Sequence, residues 1–330
     1  MLRRLIAILS LFVLAGLGWL GWYASTPVTQ AQLPAEFSIA SGTHLRGAAQ
    51  QFEAMGLISH PTAFVLLGRL LGQAGKVKAG SYMVGKPLSP YQLLNKVTLG
   101  ETLLAKVTVI EGWSFAQMRA AIDADPHLRH DSAGMSDADL LKAIGAIEAY
   151  PEGLFFPDTY FFDAGASDLD LYRRAYHTLA GKLATAWQGR LAGLPYASPY
   201  QALIMASIVE KETGAPDERP LIASVFLNRL RIGMRLQTDP TVIYGLGERY
   251  DGNLRKVDLL TDTPYNSYTR AGLPPTPIAL PSEAAIDAVL HPDSSRALYF
   301  VAKGGGRHQF SNTLDEHNRA VDRYQRGGRG

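Results

Sequence analysis

Ser198-Pro199-Tyr200-Gln201-Ala202-Leu203-Ile204-Met205-Ala206-Ser207-Ile208-Val209-Glu210-Lys211-Glu212-Thr213-Gly214 decides how the rest of the chain is read. Ser198 before Pro199 is a helix start: a capping hydroxyl, then a residue whose missing N–H costs nothing in the first turn. From Gln201 to Val209 the pattern is apolar nearly all round, which describes a buried helix, and Gly214 suits its C-cap. A second helix is expected over roughly 220–232, stopped at Gly233, with Leu221, Ile222, Val225, Phe226 and Leu230 apolar and Asn228 and Arg229 polar. The two form a hairpin inside a globular domain. After it come Gln237-Thr238-Asp239-Pro240-Thr241, a glycine-rich turn and the proline-studded segment 264–281, too irregular for a helix or strand. Loops this long in a compact domain are usually functional.

Upstream of that hairpin the text is mixed. Over 37–113 short apolar strands alternate with helical patterns: Phe37–Ala40, Leu45–Met55, Ala63–Leu71, Gly80–Val84, Tyr91–Val97 and Leu104–Ile110. This is a small α+β module with no charged pair or histidine cluster, suited to packing or to substrate docking. Two short helices follow between Ser114 and Ala149, with Ser114 and Ser136 as N-caps. Glu152-Gly153-Leu154-Phe155-Phe156-Pro157-Asp158-Thr159-Tyr160 then breaks the helical pattern, and its aromatics serve equally for packing or for a sugar-binding cleft.

The 330 residues are 47% hydrophobic, enough for a core of about two globular units. The net charge of +2 is spread over 32 basic and 30 acidic residues without a basic stripe, which argues against nucleic-acid binding. Without cysteine there is no disulfide, thiolate zinc site or thiol chemistry. At the N-terminus Arg3 and Arg4 precede an uncharged run from Leu5 to Tyr23 that ends in Trp19, Trp22 and Tyr23. About 20 apolar residues cross a bilayer, flanking arginines favour the cytoplasmic side, and Trp and Tyr favour the far interface. An uncleaved single-pass anchor over 1–23 is therefore expected, with a short uncharged linker over 24–36 and the rest of the chain outside the cytoplasm.

Glu210 follows Ser207, Ala206 and Leu203 by three, four and seven residues, so its side chain continues a face of the buried helix. Desolvation and the negative helix end both favour the neutral acid, as general acid catalysis requires. The same Glu-Lys-Glu pattern also fits solvated residues at a helix end. His308 and His317 have no third convergent ligand in view, so no metal is expected and they read as packing or cleft histidines.

Further signatures lie in order along the chain. They are the Gly80-Ser81-Tyr82 and Glu111-Gly112-Trp113 triplets, the 152–160 loop, 206–213, 223–230 and 235–245. Tyr265-Asn266-Ser267-Tyr268, Gly272-Leu273-Pro274-Pro275, His308-Gln309-Phe310, Thr313 and Glu316-His317-Asn318 complete the series. Together they resemble the endolytic murein transglycosylase (YceG-like) family over almost the whole chain, which a lone motif would not establish. The resemblance implies an α+β fold: a transmembrane helix, a LysM-like α+β subdomain over 37–113, and a mixed α/β catalytic domain over 114–330.

It further implies an inner-membrane protein with a periplasmic catalytic domain. Such a protein would cut the MurNAc–GlcNAc β-1,4 bond of peptidoglycan and leave 1,6-anhydroMurNAc ends, ending glycan elongation. Glu210 falls on the family glutamate and would serve as acid and then as base. Glu212, Gln237, Asp239, Asn266 and Tyr268 are the expected substrate contacts: Gln237 and Asn266 through acetamido or hydroxyl groups, Tyr268 by stacking. Asn266 and Asp239 could equally cap turns. No cofactor is expected. Glycan strands and the cytoplasmic membrane are the expected partners, with peptidoglycan synthases as candidate protein partners. A two-carboxylate hydrolase using Asp239 and a non-catalytic peptidoglycan-binding scaffold remain open alternatives.

Overall fold

The computed structural model describes residues 2–29, 31–33, 35–100, 104–163, 165–212 and 214–327. Thr213, part of the decisive stretch, lies outside them, as do Gln30 and Pro34 of the expected linker. The chain divides into two compact units, Met1–Lys106 with Phe161–Ala166, and Val107–Tyr160 with Ser167–Gly330. Both mix helices with short strands.

In the first unit, α1 covers Leu2–Ser25, the stretch expected to span a membrane. Leu9, Leu11, Phe12, Leu14 and Trp22 are exposed along it, whereas Leu20 and Tyr23 are buried, and the Tyr23 hydroxyl donates to the His60 carbonyl at 3.0 Å. Among the described residues, which omit the side chains of Leu2, Leu5, Ala7 and Ile8, no helix is long and apolar enough to cross a membrane. Strand β1 (Ala35–Ile39) pairs antiparallel with β2 (Gly80–Val84), and α2 (Leu45–Ala54), α3 (Pro61–Leu70) and α4 (Pro90–Leu99) complete the unit. Alternation along β1 buries Phe37 and Ile39 on one face, and Phe37 meets Phe52 of α2 and Tyr82 of β2 at ring distances of 5.0 and 5.5 Å. Ser89 and Gln92 form a reciprocal capping box on α4, and Gly100 ends it in the left-handed conformation.

The chain leaves this unit within β3 (Leu104–Thr108). In the second unit, α5 (Phe115–Asp123) and α6 (Asp137–Ile144) are capped by Ser114 and Ser136 as their sequence requires; β4 (Thr159–Asp163), the partner of β3, returns to the first unit from Phe161 on. The long α7 (Asp168–Gly189) leads to the central hairpin, α8 (Pro199–Glu212) and α9 (Arg219–Arg231). Every residue from Ala202 to Val209 is buried, as the all-round apolar pattern demands. The short helices α10 (Asp239–Leu246) and α11 (Lys256–Leu260) follow, then α12 (Glu283–Leu290), a hairpin of β5 (Tyr299–Gly304) and β6 (Arg307–Ser311), and α13 (Leu314–Tyr324).

The proline-rich segment is no surface loop. Residues 276–282 are all buried, and their backbone groups need partners in place of a helix or strand ladder. The Ile278 N–H donates to Ser207 Oγ at 2.9 Å, the Leu280 N–H to the Trp113 carbonyl at 2.7 Å, and the Leu280 carbonyl accepts from the Gly112 N–H at 2.8 Å. The segment is therefore a strap over α8. Gly153 lies beneath it with φ +77°, where an added Cβ would stand 2.3 Å from Pro277 Cβ.

Candidate active site

Helix α8 delivers two carboxyls two residues apart, and they meet different surroundings. Glu210 turns to the strap: its Oε2 accepts from the Ser282 N–H at 3.0 Å and from the Ser282 hydroxyl, and Oε1 lies 3.9 Å from the Arg219 guanidinium. Its side chain is 6% exposed, and it does not line the cleft that Glu212 enters. Lys211 donates to the Gly112 carbonyl at 3.1 Å, so the helix end is tied to the Glu111–Trp113 turn.

Glu212 lines a cleft of about 470 Å³ together with Gln237, Asp239, Tyr268, Arg229 and His308. Its Oε1 accepts from the Thr238 hydroxyl. Burial is the larger influence on this carboxyl and pushes its pKa up, the Thr238 hydrogen bond opposes that, and Asp239 nearby raises it further. A carboxyl whose pKa is pushed up, in a cleft, suits the role of proton donor.

The opposite wall is built by a loop strained where it meets the cleft. Gln237 has φ +49°, the left-handed region that non-glycine residues rarely enter. Ser267 holds it there: the Gln237 N–H donates to the Ser267 carbonyl at 3.2 Å and the Thr238 N–H to Ser267 Oγ at 3.0 Å. Asp239 begins α10, and Tyr268 donates its hydroxyl to Asp239 Oδ1 at 2.6 Å. Burial and the Asp239 carboxylate both push the Tyr268 phenol up, so it remains a donor. Arg229 reaches the same cleft from α9, donating to the Leu236 and Leu298 carbonyls.

Asn266 is placed elsewhere. It is fully buried; its amide donates to the carbonyls of Asp258, Leu259 and Thr261 at 3.2, 3.1 and 2.7 Å, and its carbonyl accepts from the Tyr268 N–H at 2.8 Å. It knots the loop between α11 and Tyr268 and leaves no group free for a substrate, which is the turn-forming use of asparagine. Of the six residues singled out by sequence, four therefore share the cleft, one holds the strap and one holds a loop.

A model of the YceG-like family matches residues 37–323. The chain belongs to the YceG-like family. This YceG-like protein is 33% identical over 304 residues to a Bacillus subtilis (strain 168) protein named endolytic murein transglycosylase, covering 87% of this chain and 84% of that one. It is 28% identical over 325 residues to a protein of the same name from Streptococcus pneumoniae (serotype 2), covering 86% of this chain but only 57% of that one. A crystal structure of a YceG-like protein from Listeria monocytogenes superposes with a TM-score of 0.57 at 30% identity, over 86% of this chain and 98% of the other.

Sequence reasoning missed Thr238, Ser267, Ser282, Arg219 and Arg229, all of which act on the site through hydrogen bonds or charge across the fold. A periodicity could not have found them. The cleft carboxyl itself was in view, since Glu212 sits two residues, about 200° of helix, from Glu210, but which of the two faced a cavity depended on where the strap would lie.

Proposed function

We propose that this chain is a peptidoglycan lytic transglycosylase that cuts MurNAc–GlcNAc β-1,4 bonds within glycan strands and leaves 1,6-anhydroMurNAc ends. One observation carries the reading: in a chain of this family, the Glu212 carboxyl lines a cleft, and burial pushes its pKa up. The substrate class follows from the relatives named for murein cleavage. Glu212 donates its proton to the departing GlcNAc O4, and the MurNAc C6 hydroxyl, losing its proton to a base, attacks the anomeric carbon. Water is not consumed. On this reading Tyr268 and Gln237 meet the sugar and Asp239 orients Tyr268, accepting from its hydroxyl.

The sequence argument put the acid at Glu210; the geometry favours Glu212, because Glu210 is occupied by Ser282 and Arg219 away from the cleft. Glu210 then keeps the strap in place. Comparing Glu212→Gln with Glu210→Gln on isolated glycan strands tests this. The first should lose about 10²–10⁴-fold in rate while staying folded, and the second should keep most of it. The reverse result would return the role to Glu210. One observation keeps the hydrolase alternative in view: Asp239 shares the cleft, so two carboxyls could flank a bond there.

The reading extends to placement. The run Leu5–Tyr23 carries no charge, and Arg3 and Arg4 precede it. On this reading residues 1–23 anchor the chain in the inner membrane with the N-terminus cytoplasmic, and 24–36 is a linker. The LysM-like 37–113 docks glycan, and 114–330 works in the periplasm beside peptidoglycan synthases. Intact mass of the membrane-extracted protein tests the anchor, and a chain beginning after Tyr23 would refute it.

A further inference from the structure

The C-terminal hairpin brings His308 to the cleft, where the ring is paired with Glu218. Glu218 lies in the 3-10 turn that precedes α9, with a side chain only 7% exposed. Its Oε2 is 2.8 Å from His308 Nδ1, and its two oxygens accept from the His308 N–H at 3.2 and 3.1 Å. One buried carboxylate thus fixes both the imidazole and the strand that carries it. Phe300 meets the ring edge-on at 5.4 Å and Phe310 lies at 6.4 Å, so its plane is held as well. A carboxylate against Nδ1 makes that nitrogen the proton carrier of the neutral ring and leaves the lone pair on Nε2. Among the described residues Nε2 has no hydrogen-bond partner. The ring lines the same cleft as Glu212.

We propose that His308 is the base of this cleft, its Nε2 taking the proton of the MurNAc C6 hydroxyl, with Glu218 as the positioning residue that sets its tautomer. The proposal rests on the transglycosylase reading above. The C6 oxygen bonds to the anomeric carbon as the bond from that carbon to O4 breaks, and O4 takes the Glu212 proton. The turnover ends with an imidazolium and a carboxylate, and one proton passed from His308 to Glu212 restores both. Nothing is oxidised or reduced. A separate base has a kinetic advantage, because a carboxyl that is still protonated toward O4 cannot yet accept the hydroxyl proton, whereas a second group lets attack and departure overlap.

The charged groups facing the ring are few. Glu218 sits at Nδ1, with Arg307 3.7 Å from that carboxylate, and Glu212, Asp239, Arg229 and His317 lie in the same cleft lining. The test measures anhydro-end formation by the full-length protein in detergent, on glycan strands, across pH. His308→Gln should lower the rate by about 10²-fold or more and change its pH profile, and Glu218→Gln should change that profile with a smaller loss. Free imidazole should restore part of the activity of His308→Ala. In the unmutated protein, nitrogen-15 histidine NMR should find the neutral His308 ring protonated at Nδ1, a result independent of how well any variant folds. A ring protonated at Nε2, or a His308→Gln rate within about threefold of the parent with the same pH profile, overturns the proposal. If Glu212→Gln is also active, the assignment of the acid to Glu212 has failed; if Glu212→Gln is inactive, only the role of His308 has.

Discussion

Exchange of Glu152 for Gln should make stability less dependent on pH. Glu152 is 6% exposed and accepts hydrogen bonds from the Phe115 N–H at 3.0 Å and the Tyr244 hydroxyl at 3.2 Å. Burial lifts its pKa from the ordinary 4.5 to about 7, against the partial opposition of those hydrogen bonds. The unfolded chain therefore releases this proton at lower pH than the folded one. Between about 4.5 and about 7 the folded protein holds more protons than the unfolded one, so stability falls as pH rises. A difference of about 2.5 pH units at about 1.36 kcal/mol each gives a penalty of about 3 kcal/mol above pH 7, and none below pH 4.5. Gln keeps the shape and one acceptor without the charge. Urea unfolding of parent and variant, followed by intrinsic fluorescence at about pH 4, 6 and 8, isolates the effect, because other groups cancel in the difference. The variant should gain on the parent by about 3 kcal/mol across that range. Parallel stability profiles would refute the reasoning.

Asn266→Ala removes three donations to backbone carbonyls and one acceptance at a fully buried site, so thermal unfolding should show a loss of about 3 kcal/mol, with activity falling because Ser267 and Tyr268 share the loop. Gly153→Ala combines φ +77° with a Cβ 2.3 Å from Pro277 Cβ, and calorimetry should find a loss of about 3 kcal/mol or more. Glu210→Gln weakens the hold on Ser282 and Arg219 and should cost about 1–2 kcal/mol in denaturant unfolding.

Local pattern carried far along this chain. The caps Ser114 and Ser136, the all-round apolar α8 and the apolar run of β1 are encoded within a few residues of where they act, so the helices and strands of 37–113 and the α8–α9 hairpin were legible. The strap was not, because its order comes from Ser207, Gly112 and Trp113, at least 71 residues away in sequence. Nor was the return of 161–166 to the first unit. At the site, residue types and motif positions drew attention to Glu212, Gln237, Asp239 and Tyr268, which do converge. Asn266, whose four hydrogen bonds are all internal, lies apart from them, and Glu210 stood first on the family resemblance, which reports nothing of what covers its side chain. The Glu218–His308 pair spans 90 residues and has no local signature at all.

Digestion of glycan strands in oxygen-18 water, read by mass spectrometry for the parent and for Glu212→Gln, tests the central claim most directly. The parent should yield 1,6-anhydroMurNAc ends without label, since the C6 oxygen of the sugar closes the ring, and Glu212→Gln should yield almost none. Label at the new anomeric carbon would show hydrolysis and direct attention to Asp239, and undiminished anhydro ends from a folded Glu212→Gln protein would contradict the account.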